Sequence, residues 1–155
     1  MLHTYEILPR RSAGPVHLGM SREEARVAMG GPPQKSFPKR PHYPVEIDSY
    51  HEASFRIFYD GDEPKVNYVE MSAKGEVDAV FRGVHVFQTK ASELIAIVSE
   101  TDHFDDQDPE LGYSYIFPTL DLAFWRPMLP DDEPDCEFFQ AVGTGTEGYY
   151  AKRVT

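Results

Sequence analysis

Apolar and polar positions alternate over most of this chain, and helical spacing shows in two short stretches. Val16, Leu18 and Met20 alternate with His17 and Gly19, the two-residue period of a half-buried strand. The same period predicts strands over 54–60 (Phe55, Ile57, Tyr59) and 65–72 (Val66, Tyr68), joined by the hairpin signal Asp60-Gly61-Asp62. A further strand is expected over 79–87 (Val80, Phe81, Val84, Val86). Others follow at 113–117, 120–126 and 136–142, with a last one near 149–154. Between them Ala91, Leu94, Ile95, Ile97 and Val98 recur at helical spacing, predicting a helix from Thr89 to about residue 100.

The first helix is written most fully. Ser21 stands three residues before Glu24, the capping-box spacing in which the serine hydroxyl accepts from a first-turn amide and the glutamate reaches back to the serine amide. Glu23 and Glu24 place negative charge at the positive end of the helix dipole. Gly30 and Gly31 allow a left-handed stop, and Pro32 and Pro33 prevent continuation. The helix is therefore expected over 21–29, with Ala25, Ala28 and Met29 available for packing; such grammar by itself specifies a helix and no function.

Leu18, Gly19, Met20, Ser21, Glu24, Gly30 and Pro32 together resemble the repeat module of two related bacterial families. One is the small lipoprotein of the outer-membrane barrel-assembly machinery (BamE-type); the other is the β-lactamase inhibitory protein, built from two tandem copies. The resemblance covers about a tenth of the chain and implies a small α+β fold with a habit of holding other proteins. No lipobox cysteine precedes the segment, and the paired cysteines typical of the inhibitory protein are missing.

Strand, helix and a meander of three strands recur with a spacing of about 70–75 residues. The expected architecture is one α+β domain over 1–155. It has a largely antiparallel sheet, two short helices on one face, and tandem half-repeats over 1–76 and 77–155. At 155 residues and 41% hydrophobic the chain is long enough for one sizeable core. It has no apolar run of spanning length, and its opening residues lack the basic-then-apolar order of a signal peptide. Cys136 is the single cysteine, so no intramolecular disulfide forms. A bacterial cytoplasmic setting is the expectation.

Charge changes the picture more than composition does. The net charge of −11 divides as −2 over residues 1–78 and −9 over 79–155, and residues 100–137 carry 12 acids against Arg126 alone. Two segments hold most of it: Asp102, Asp105, Asp106, Asp108 and Glu110, then Asp131, Asp132, Glu133, Asp135 and Glu137. Such a field disfavours nucleic acid and anionic membrane and steers cationic partners, or serves solubility alone.

Candidate chemistry is sparse. The first acidic segment lacks the sixth-position glycine of a calcium loop and is interrupted by Pro109, and the histidines are scattered without metal-ligand spacing, so no metal is expected. Gly143-Thr144-Gly145-Thr146-Glu147-Gly148 matches the dinucleotide fingerprint, but too little chain follows for the helix that would face a pyrophosphate. These glycines read as a turn, and no cofactor is expected. Cys136 is flanked by Asp135 and Glu137, a setting that disfavours thiolate. No nucleophile elbow or paired helical carboxylates occur, so no catalytic residue is nominated.

Aromatics make up 13% of the chain. Arg56, Phe58 and Trp125 belong to residue types enriched at binding hot spots or their apolar surrounds, and they fall on the strand face opposite the core positions. With Asp105, Asp106, Asp108, Asp131 and Asp132 they form the candidate partner-binding set. The expected function is a non-enzymatic interaction module, of immunity or inhibitor type, for a basic protein. The alternative is a small-ligand or enzymatic domain with a pocket between helices and sheet.

Overall fold

The computed structural model describes residues 2–132 and 134–151, with Pro134 and Asp135 described as backbone only. In chain order the strands are β1 (His3–Leu8), β2 (Ser12–Ala13) and β3 (Val16–His17), then, after helix α1 (Arg22–Ala28), β4 (Lys35–Phe37), β5 (Glu46–Tyr50), β6 (Phe55–Asp60), β7 (Lys65–Ser72), β8 (Val77–Phe81) and β9 (Val84–His85). A 3₁₀ turn (Val86–Gln88) leads into helix α2 (Ala91–Val98), followed by β10 (Ser114–Phe117), β11 (Leu122–Trp125), a second 3₁₀ turn (Pro134–Glu137) and β12 (Ala141–Gly145).

The strands form two sheets rather than one. The smaller runs β3-β2-β1-β8-β9 and the larger runs β10-β11-β12-β7-β6-β5-β4. Every pairing of named strands is antiparallel except β1 with β8. The chain is thus a mixed α+β fold, mostly antiparallel, with two short α-helices among the described residues.

Alternation decides which face of the larger sheet is core. Asp48, Ile57, Val69, Thr144, Leu122 and Phe117 occupy one row across six strands. All six are buried. Phe55, Met71, Val142 and Phe124 fill the next row. The buried side chains of α1 (Ala25), of α2 (Ala91, Leu94, Val98) and of the smaller sheet (Ile7, Val77, Phe81) join these apolar residues in one cluster. The space between helices and sheet is therefore filled by tightly packed apolar groups.

Local differences from the sequence reading have physical causes. α1 has the capping box as written: Ser21 Oγ accepts from the Glu24 amide at 3.1 Å and Glu24 Oε1 accepts from the Ser21 amide at 3.1 Å. The expected strand over 79–87 is instead a hairpin, because Arg82 (φ 51°) and Gly83 (φ 79°) form a two-residue turn with both φ positive. Phe139 is buried, but the strand expected over 136–142 begins only at Ala141, behind the second 3₁₀ turn. The strand expected over 149–154 is a turn at Tyr149–Ala151, and residues 152–154 lie outside the described residues. Glu133, part of the second acidic segment, lies outside them too.

Candidate functional site

The opposite face of the larger sheet carries the features of a binding surface. Its central row is Ser49–Arg56–Glu70–Gly143–Ala123–Ile116, flanked by Ser72–Ala141–Trp125–Ser114 on one side and Ile47–Phe58–Tyr68–Gly145 on the other. Gly143, Ala141 and Ala123 are too small to fill the middle, so larger side chains stand around a low floor. The result is a trough of about 520 Å³, bordered by Trp125 at one side and by Arg56, Tyr68 and Tyr150 at the other. Its volume falls within the range of sites that accept small molecules or inserted side chains.

Two aromatic rings shape one wall. A Cβ at Gly143 would overlap the Tyr68 hydroxyl and ring, and one at Gly145 would overlap the Tyr149 ring. Tyr68 and Tyr149 stack with centroids 4.7 Å apart, and the Tyr68 and Tyr150 hydroxyls meet at 2.5 Å. Burial, with the neighbouring Tyr150, pushes the Tyr68 hydroxyl well above the ordinary tyrosine range. The Gly-x-Gly of the fingerprint-like motif thus makes room for rings. β12 runs antiparallel to both neighbours, and a turn follows it.

Asp121 fixes that turn from beneath. It is fully buried, and its carboxylate accepts from the Tyr150 amide at 2.9 Å, the Gly148 amide at 3.0 Å and Arg10 Nε at 2.6 Å. Through these bonds the turn between β10 and β11 sets where Tyr149 and Tyr150 sit.

Arg56 holds the centre of the face. It forms an ion pair with Glu70 across β6 and β7 and lies 5.7 Å above the Phe58 ring centroid. It borders the trough and two adjoining hollows, one of about 490 Å³ with Phe58 and Tyr149, the other of about 250 Å³ with Phe37 and Ile47. Trp125, 44% exposed, is among the open apolar side chains at the β10 end.

Of the eight residues nominated from sequence, Arg56, Phe58 and Trp125 share this face. Asp105 and Asp108 line a hollow of about 350 Å³ that shares Glu110, Ser114 and Ile116 with the trough. Asp106 instead bonds Gln107 at 3.0 Å. Asp131 and Asp132 are exposed on a turn closed by the Asp132 amide to the Leu129 carbonyl. The two acidic segments are joined by Arg126, whose buried guanidinium donates to the Gly112 carbonyl at 2.8 Å and the Cys136 carbonyl at 2.9 Å. Glu70, Tyr68, Tyr150, Glu110 and Ser114 were not nominated. Alternate glycines inside a strand pattern were the available signal for the rings, since they mark close approach.

No group of three or more His, Cys, Asp or Glu side chains among the described residues is arranged to hold a metal ion. No helix among them is long and apolar enough to cross a membrane. No protein-family model, curated protein or solved structure matches the chain.

Proposed function

We propose that this protein is a non-enzymatic binding module that holds a basic protein against the open face of its larger sheet, in the manner of an immunity or inhibitor protein. The observation that carries the reading is the coincidence of the trough, the exposed Trp125 and the acidic hollow at one end of one face. Aromatic anchors in a partly desolvated hollow supply most binding energy at protein interfaces, and surrounding charge governs encounter. An open trough suits an inserted side chain of a macromolecule better than an enclosed small ligand. The small-ligand alternative, moved from the helix–sheet interior to this face, is supported by the trough volume alone.

The resemblance of residues 18–32 to a duplicated protein-holding module agrees with this reading. We also infer that the two halves descend from a duplication. Strands β5, β6 and β7 correspond in order to β10, β11 and β12 on the other side of the antiparallel β7–β12 pair, and each meander follows a helix. A two-fold axis normal to the sheet would reverse strand direction in this way; the parallel pairing of β1 with β8 departs from it.

The test compares capture of basic proteins from source-organism lysate at low salt by wild type and by the variant with Asp105, Asp106, Asp131 and Asp132 changed to Asn. The captured partner should associate more slowly with the variant. The difference should shrink as the Debye length falls from ~10 Å at 0.1 M to ~3 Å at 1 M salt. Equal capture and equal rates would make these carboxylates solubility groups and remove the charge argument.

A further inference from the structure

Resting on the reading above, the partner's positive charge can be placed more narrowly than the whole acidic surface. The segment before β10 is folded by its own carboxylates: Asp105 Oδ1 accepts from the Gln107 amide at 3.0 Å, and Asp108 Oδ1 accepts from the Glu110 amide at 2.9 Å. The Asp105 amide donates to the Ile116 carbonyl at 2.8 Å, which lays the loop along the outer edge of β10. These bonds use one oxygen of each carboxylate. Asp108 Oδ2 is shut from solvent and has no hydrogen-bond partner.

Ser114 is 8% exposed, stands between the trough and the acidic hollow, and borders both. Its hydroxyl has no hydrogen-bond partner among the described residues. A buried carboxylate oxygen without a partner is costly, whereas the Ser114 hydroxyl oxygen is not shut from solvent and is open to an incoming donor. Asp105, Asp108 and Glu110 make no ion pair with Lys or Arg among the described residues, and the nearby cation Arg126 is committed to carbonyls. Asp105 and Asp108 each keep a second carboxylate oxygen, so the hollow offers acceptors beyond those the loop amides already use.

We propose that this hollow seats the guanidinium of one arginine of the basic partner, with a neighbouring side chain of the same segment lying in the Trp125 trough. Guanidinium presents five donors in a planar fork, which suits acceptors set around a hollow of about 350 Å³; an ammonium is a compact point charge with three. Ser114 and Ile116 are common to both hollows, so one short extended segment reaches from the carboxylates to the indole.

The probe is acetyl-Arg-Trp-amide, with acetyl-citrulline-Trp-amide as its neutral counterpart and calcium chloride as a third titrant. Each is followed in ¹H–¹⁵N correlation spectra of the whole protein. The arginine compound should move the Asp108, Glu110 and Ser114 amides and the Trp125 indole in one saturable process. Citrulline should leave the first three in place. Asp108→Asn keeps an acceptor for the Glu110 amide and should weaken the arginine compound about tenfold; Glu110→Gln, on an exposed side chain, should also weaken it. Asp131→Asn should not. Equal movement at Asp131 and Asp132, equal response to citrulline, or response to calcium without response to arginine would each overturn the assignment. If the arginine compound fails while the captured partner still covers Trp125, the arginine seat falls and the binding-module reading stands. If the compound binds but the partner leaves Trp125 untouched, that reading falls instead.

Discussion

Asp48 is 1% exposed on the core face of β5, where an apolar residue is expected. It is tolerated because Arg26 of α1 meets it with two nitrogens, at 2.8 and 2.9 Å, while the Tyr59 and Ser36 hydroxyls donate at 2.8 and 3.0 Å. Burial alone would raise its pKa; the bonds from Arg26, Tyr59 and Ser36 together outweigh that and hold it below the ordinary carboxylate value. A depressed folded-state pKa contributes stability that is present above the unfolded value, near 3.9, and is lost as pH falls through the folded one. Asp48→Asn should therefore cost about 2–3 kcal/mol at neutral pH in urea unfolding. The difference from wild type should narrow below about pH 4; a pH-independent difference would deny the charged network. Gly143 is the second residue of this kind. Gly143→Ala should cost about 1–3 kcal/mol by overpacking against Tyr68. In a Tyr68→Ala background the cost should largely vanish, and simple additivity would mean that the ring does not set the glycine. The Asp48 role was not readable in advance, because a core Asp looks like a loop residue; Gly143 carried the close-approach signal of a strand glycine but reads equally as a turn.

Legibility at the level of elements follows from how much of the signal is local. α1 was readable to within a residue because its cap, charges and stop all lie inside residues 21–33. Hydrogen bonds to Ser21 hold the Glu24 carboxyl below its ordinary range. Ser21→Ala should lower stability by about 1 kcal/mol; an unchanged unfolding midpoint would mean that the box contributes nothing. β6 was readable because Phe55, Ile57 and Tyr59 alternate without interruption; β7 forms where expected, but a register irregularity puts Val66 in the core and Tyr68 on the opposite face. β5 was not, since its inward positions include Asp48 and its outward ones Ile47, which inverts the usual pattern. β1 was missed because few of its side chains are even partly buried, chiefly Tyr5 and Ile7. β8 and β9 merged in the reading because Phe81 and Val84 continue an apolar run across a turn that only Gly83 marks.

For the whole molecule, charge and shape coincide in a way that neither declares alone. The sequence places its acids in two segments; the fold brings their ends together at Arg126 and sets one of them beside the trough. Arg56, Phe58 and Trp125 were legible as a face because strand alternation is strict, whereas the cavity they border depends on pairings between residues more than 50 positions apart. The chain holds one tryptophan, and it stands on this face, so its fluorescence reports on the proposed site without labelling. The most direct measurement is Trp125 emission and acrylamide quenching as the captured basic partner is added. The account predicts a shift to shorter wavelength and protection from the quencher, both saturating with binding. A partner that binds at full occupancy while emission and quenching stay unchanged would contradict it.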